Sequence, residues 1–313
     1  MIGIDTPGQE PDPMGAVSHP TVPFGSLRSD MITIGEALDG GTRAIHAQRV
    51  SQTPLLDASL LLCSSTGFTR EQLYAKSHVP LDQQTVDTYA SLVKRRCAAE
   101  PIAYLTGSRD FYGRTFSVSP AVLVPRPDTE VLVEQSLTFL DRFDHPKVLD
   151  LCTGSGCIGI SIAAEYPGAE VCLSDISLDA IEIARTNSFA LLDRGLEIIH
   201  SDVFSSLQDR RFHMIMTNPP YLTQAWYEET EAQVKEEPSL ALLGGDEDGL
   251  HIIRKIVQQA PDHLEDRGIL IIECDYRQNG QVARLLEQRG FVDIASRNDL
   301  AQVRRIVWGA FHV

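Results

Sequence analysis

Positive charge is what this 313-residue chain is short of: 27 Lys and Arg stand against 43 Asp and Glu, a formal net charge of −16. An acidic surface is poorly matched to the phosphate backbone of free DNA or RNA, which weakens nucleic-acid readings, although a local patch can depart from the average. Also missing is any run of about 18 consecutive apolar residues, so no transmembrane helix and no membrane partner are expected. The six cysteines, Cys63, Cys97, Cys152, Cys157, Cys172 and Cys274, include no C-x-x-C pair, and no His stands at zinc-ligand spacing from a cysteine pair. They read as small buried thiols in a reducing cytoplasm, with no metal site. Residues 1–30 lack both a basic n-region and an apolar h-region and are rich in Pro, Gly, Ser and Asp. They read as a disordered extension and not as a secretory signal.

What is present is a 43% hydrophobic composition, enough for a sizeable core, over a length that suits two domains. Residues 31–108 carry a helical pattern. Leu55, Leu56, Ser59, Leu60 and Leu62 repeat at helical spacing, and Tyr89, Leu92, Val93 and Arg96 continue it. Pro54 stands where a helix would start and Gly67 where it would end. Residues 109–125 suggest a β-hairpin linker through Phe111, Phe116, Val118 and Val122, with Gly113 and Ser119-Pro120 as punctuation. Pro125-Arg126-Pro127 then breaks the chain ahead of a helix reaching Leu140. From Lys147 onward, within a unit spanning 126–313, short apolar strands alternate with helices. That alternation predicts an α/β fold with a doubly wound, mostly parallel sheet. The last two strands have only a short, helix-free connection and should pair antiparallel.

Two motifs carry chemistry. Asp150-Leu-Cys-Thr-Gly-Ser-Gly-Cys-Ile-Gly159 joins the first strand of this unit to its first helix, and Gly154, Gly156 and Gly159 spell G-x-G-x-x-G. Glycines there let the backbone turn tightly and approach a ligand. Asp175, at the end of the next strand, stands where an acid accepts the hydroxyls of a ribose. A dinucleotide and S-adenosyl-L-methionine both present a ribose at this point, and the glycines alone do not separate them. Asp150 favours the second, because a carboxylate beside the loop suits an ammonium and a sulfonium better than a pyrophosphate. Asp202, after the third strand, is at the level of an adenine contact or is an ordinary loop residue.

The second motif, Thr217-Asn-Pro-Pro-Tyr221, follows the fourth strand and should face the same cleft. The Asn218 side-chain oxygen and the Pro219 carbonyl can accept the two hydrogens of a planar NH₂ group. Pro219 and Pro220 hold that carbonyl rigidly outward, and Tyr221 offers a flat face for stacking. Acceptors placed in this way orient an amide nitrogen for in-line attack on a methyl donor, so positioning is the main catalytic contribution.

With both motifs in hand, the chain resembles the protein-(glutamine-N5) methyltransferases that modify class-1 peptide-chain release factors. The resemblance runs from about Thr33 to the C-terminus. It rests also on Glu100-Pro-Ile-Ala-Tyr104, Phe111-Tyr-Gly113, Val122-Leu-Val-Pro-Arg-Pro-Asp-Thr-Glu130, Gly244-Gly-Asp-Glu-Asp-Gly249 and Asp299-Leu-Ala301. It implies a seven-stranded Rossmann-like methyltransferase sheet with the last strand antiparallel, preceded by a small helical substrate-docking domain. It further implies that Cys152, Thr153, Gly154, Ser155, Gly156, Asp175, Val203 and Asn218 hold S-adenosyl-L-methionine, Val203 lying against the adenine. Asn218, Pro219, Pro220 and Tyr221 would grip the glutamine of the release factor's Gly-Gly-Gln loop. A monomeric cytoplasmic enzyme with no direct nucleic-acid partner is expected. The pattern departs from the family at Cys152, often Gly, at Gln302, often Gly, and at Cys274-Asp-Tyr276.

Other features have plainer readings. Residues 226–248 hold eight acids and one lysine and read as a solvated loop, with docking of a basic partner as the alternative. Arg126 either steadies a carboxylate near the cleft or pairs with Glu130 or Asp128. His200 and His213 read as structural, and Phe111 and Phe116 as hairpin packing. An adenine-N6 or other nucleic-acid methyltransferase, which also uses Asn-Pro-Pro-Tyr, is the competing enzyme reading. It would want a basic groove, which the net charge of −16 argues against. A non-catalytic module of the same fold would have lost Asp175 or Asn218, and a dinucleotide oxidoreductase is the weakest reading.

Overall fold

The structure, a computed structural model, describes residues 32–312; the extension expected over 1–30 lies outside the described residues. Helices come first: α1 (Ile34–Gln48), α2 (Pro54–Thr66), α3 (Arg70–Ala75), α4 (Gln83–Cys97) and α5 (Ile102–Thr106). Their ends follow local chemistry. Thr33 and Glu36 close a reciprocal capping box on α1. Pro54 opens α2, and Gly67, at φ +72°, ends it in the left-handed conformation that glycine adopts without strain. The helices bury Ile34, Leu38, Ile45, Leu61, Leu62, Leu73 and Tyr89 in a core of their own. Gly41 allows the close crossing of α1 over α4, because a Cβ there would lie 2.0 Å from the Tyr89 hydroxyl.

A hairpin, β1 (Ser108–Phe111) and β2 (Arg114–Ser117), follows. Phe111 and Phe116 are buried and meet edge to face, as hairpin packing requires. After the turn at Pro127–Thr129 the chain runs α6 (Glu130–Leu140), β3 (Lys147–Leu151), α7 (Cys157–Glu165), β4 (Glu170–Asp175), α8 (Leu178–Leu192), β5 (Glu197–His200) and β6 (Phe212–Thr217). Then come α9 (Gln224–Glu229), α10 (Ala232–Lys235), α11 (His251–Gln259), β7 (Leu264–Glu273), α12 (Asn279–Gln288), β8 (Val292–Asn298) and β9 (Arg304–Phe311). The seven strands order as β5-β4-β3-β6-β7-β9-β8. β9 pairs antiparallel with both β7 and β8, and the other pairings are parallel.

The sheet separates two apolar layers by the two-residue period of a strand. Val148, Leu173, Met214, Met216, Ile269 and Ile271 face α6 and α7. Leu149, Leu151, Cys172, Ile215, Leu270 and Ile272 face α11 and α12. Strand order reverses at β3, between β4 on one side and β6 on the other. The crevice at the carboxyl ends of these strands is where such sheets bind ligands. His200 and His213 are structural: the first bonds the Ile176 carbonyl at 2.9 Å, and the second accepts the Lys147 N–H at 3.0 Å.

Candidate active site

A cavity of about 170 Å³ opens at that crevice, and its walls come from both motifs. Cys152, Thr153, Gly154 and Ser155 form one side, Asp175 and Val203 the next, and Asn218 and Pro220 the far end. The loop takes its shape from left-handed residues: Cys152 at φ +60°, Gly154 at +54° and Gly156 at +82°. Gly156 and Gly159 lie beneath the cavity. A Cβ on Gly159 would stand 2.2 Å from the Leu173 side chain, so the start of α7 rests directly on β4.

Asp150 is corrected by the structure. It was expected beside the ligand, but it is fully buried under the loop. As residue 150 of β3 it shares the face of Val148, pointing into the apolar layer instead of the crevice. Its Oδ2 accepts the Thr153 hydroxyl at 2.5 Å and the Gly159 N–H at 2.9 Å, while Oδ1 is buried without a partner. Burial pushes its carboxyl up to about 7 against those two bonds. Asp150 is therefore the brace of the glycine loop.

Asp175 does reach the cavity. Its Oδ2 accepts the Gly154 N–H at 2.8 Å and its Oδ1 the Ser177 N–H at 2.9 Å. Burial raises its carboxyl, and these backbone bonds oppose the rise. Each oxygen keeps a lone pair for a hydroxyl. Val203 is buried at φ +52°, a conformation that costs a β-branched residue about 1–3 kcal/mol, and it presents its side chain to the cavity. Asp202 also lines the cavity and is paired to Lys255 Nζ at 2.7 Å. An acid over a glycine turn, apolar flanks and an amide at the far end match an adenosine joined to a charged thioether.

Asn218 follows β6 and is half-buried. Its Nδ2 donates to Thr129 Oγ1 at 3.3 Å, so the side-chain oxygen is the free end. Neither that oxygen nor the Pro219 carbonyl is committed to another donor among the described residues. Pro219 is buried, and Tyr221 is half-buried against the α11–α12 layer with its phenol pushed up by burial. Gly156, Pro219 and Tyr221 do not line the cavity wall, whereas the other expected site residues do.

Residues 226–248, read as a solvated loop, do keep seven of their eight acids out of the core, but they are not one loop: α9, α10 and a single turn at Ser239–Ala241 form within 224–241. Glu237 pins them. Its carboxylate is buried, accepts the Val124 N–H at 2.9 Å and takes an ion pair from Arg126. Arg126 thus steadies a carboxylate near the cleft, the first of its two expected roles, and pairs with neither Glu130 nor Asp128. Pro238, Leu240 and Ala241 close one wall of the cavity. Thr129, Glu237 and Glu273 are contributors that motif spacing did not reveal.

The comparisons agree with this geometry. Residues 128–237 match the family model "Methyltransferase small domain", and residues 36–107 match "PrmC N-terminal domain". The release factor glutamine methyltransferase of Burkholderia pseudomallei is 41% identical over 272 residues, covering 85% of this chain and 95% of that one. The protein of the same name from Escherichia coli is 35% identical over 270 residues, covering 86% and 96%. Among solved structures, the hMettl16 catalytic domain superposes with a TM-score of 0.52 at 12% identity, over 72% of this chain and 80% of that one, a likeness of fold alone. The chain belongs to the release factor glutamine methyltransferases, S-adenosyl-L-methionine-dependent enzymes that modify protein.

Proposed function

We propose that this enzyme methylates the side-chain amide nitrogen of the glutamine in the Gly-Gly-Gln motif of class-1 release factors, acting as a cytoplasmic monomer. One observation carries the reading: the glycine loop with Asp175, and Asn218 and Pro220 of the Asn-Pro-Pro turn, border one cavity. Cys152, Thr153, Gly154, Ser155, Gly156, Asp175, Val203 and Asn218 would hold S-adenosyl-L-methionine. When bound, it supplies an electrophilic methyl group on a sulfonium.

The chain's own residues do the rest by position. The Asn218 side-chain oxygen and the Pro219 carbonyl accept the two hydrogens of the substrate amide, and Tyr221 flanks it. Their grip opposes delocalisation of the nitrogen lone pair into the carbonyl and aligns it for in-line attack. The same oxygens face the positive charge that develops on nitrogen. Asp150 and the Thr153 hydroxyl keep the loop in shape without touching substrate. Glycines on either side of the glutamine suit a narrow entrance, and the helical region 31–108 offers the docking surface for the rest of the factor. Among the described residues no helix is long and apolar enough to cross a membrane.

The test is transfer of a labelled methyl group to a purified class-1 release factor. Replacing Asn218 by Ala is expected to cut turnover by about 100-fold or more, the scale of losing one oriented polar group at a reacting centre. Cofactor affinity, read by calorimetry, should fall far less than turnover, because Asn218 is one of eight residues assigned to the cofactor. Equal labelling by both proteins would remove Asn218 from the substrate site.

A further inference from the structure

The side-chain amide of Asn218 has two faces, and only one of them is useful. With its oxygen toward the cavity it accepts an NH₂ hydrogen; turned over, it presents its own N–H groups to the substrate's. Rotation about the terminal bond of an asparagine is soft, so something must choose between the two. The structure contains a chooser that lies outside both motif centres. Glu273, the last residue of β7, is buried next to Asn218, with Oε2 lacking any partner. Burial raises its carboxyl, and the neighbouring polar groups of Thr129 and Asn218, with the charge of Arg305, oppose that rise. Thr129, buried in the turn ahead of α6, takes the Asn218 Nδ2–H on Oγ1 at 3.3 Å. That bond turns the amide nitrogen inward and leaves the side-chain oxygen toward the cavity; Glu273, once ionised, accepts and does not donate, and so supports the same orientation.

We propose that Thr129, backed by Glu273, is a positioning residue that locks the Asn218 amide with its oxygen toward the substrate. The proposal rests on the function assigned above and adds the part of that site that fixes the acceptor. Glu273 does not line the cavity, and the effect of both residues is transmitted through Asn218. Thr129 also lines the cavity, so its replacement must be judged separately for cofactor binding.

The experiment measures kcat, KM for release factor and cofactor Kd for wild type, Thr129→Val, Thr129→Ser, Glu273→Gln and the Thr129→Val/Glu273→Gln double variant, with Asn218→Ala alongside. Valine keeps the shape of threonine and removes the hydroxyl; serine keeps the hydroxyl and removes the methyl. Thr129→Val should lose about tenfold in kcat, the cost of one unmade hydrogen bond at a buried partner, while cofactor Kd and melting temperature stay near wild type. Thr129→Ser should recover most of that loss, which a space-filling role would not allow. Glu273→Gln should lower kcat alone and lower it little further in the Thr129→Val background, because both act through one contact. Full turnover in Thr129→Val, equal damage in Thr129→Ser, or additive losses in the double variant would overturn the proposal. A wild-type enzyme that fails to label the release factor would instead overturn the functional reading, independently of Thr129.

Discussion

Asp150 and Glu273 are both kept from water, and burial pushes each carboxyl up to about 7. A group whose folded-state pKa lies above its unfolded value binds its proton more tightly in the folded state. Its contribution is complete below the unfolded value and is lost as pH rises toward 7. The ligand-free protein should therefore lose stability from these groups between about pH 4 and 7. Asparagine at position 150 cannot ionise and can still accept from Thr153 and Gly159. The melting temperature of Asp150→Asn relative to wild type should rise across that range, by an amount equivalent to at most about 4 kcal/mol. A constant difference between pH 4.5 and 7.5 would show that Asp150 is not held protonated. At this scale the motifs were legible because they are local in the chain: the glycines, Asp175 and Asn218 stand where their spacing placed them. Asp150 was misread because strand parity, and not proximity to the loop, decides which way a side chain points. Thr129 was invisible as a partner of Asn218 because 89 residues separate them.

Helices and strands were legible where punctuation and periodicity agreed. Pro54 and Gly67 bound α2 at the expected positions, and the antiparallel end of the sheet followed from a connection too short for a crossover. The segment after Asn-Pro-Pro-Tyr was legible only in part: seven of the eight acids in residues 226–248 do face solvent, and that composition hid the eighth. The decisive feature is that Glu237 points inward to the Val124 N–H and Arg126. Removing its carboxylate leaves a buried donor unpaired and frees the wall formed by Pro238, Leu240 and Ala241. Glu237→Ala should cost about 2–4 kcal/mol of stability and weaken cofactor binding several-fold, readable by thermal melts and calorimetry. A variant that melts and binds like wild type would mean that the wall stands without its pin.

At the scale of the whole molecule, a buried guanidinium links the helical region to the segment that walls the cavity. Arg96 of α4 donates to Asp57 at 2.7 Å and to the Val50 carbonyl at 2.7 Å, and reaches Gln233 of α10 at 3.2 Å. The N-terminal helices thus contact the segment that walls the cavity. Arg96→Met leaves Asp57 buried without its partner and should destabilise the protein by about 3–5 kcal/mol. It should also raise KM for the release factor more than cofactor Kd. Unchanged stability in a urea titration would contradict the role given to this residue. The two-part organisation was readable from composition and pattern, but the arginine joining the parts read only as one more position on a helix.

The most direct test is mass spectrometry of a purified class-1 release factor after incubation with the enzyme and isotopically labelled S-adenosyl-L-methionine. One added methyl group, on the side-chain nitrogen of the Gly-Gly-Gln glutamine, is the predicted result. A methyl group on another residue, or a factor left unmodified by active, cofactor-binding enzyme, would contradict the account.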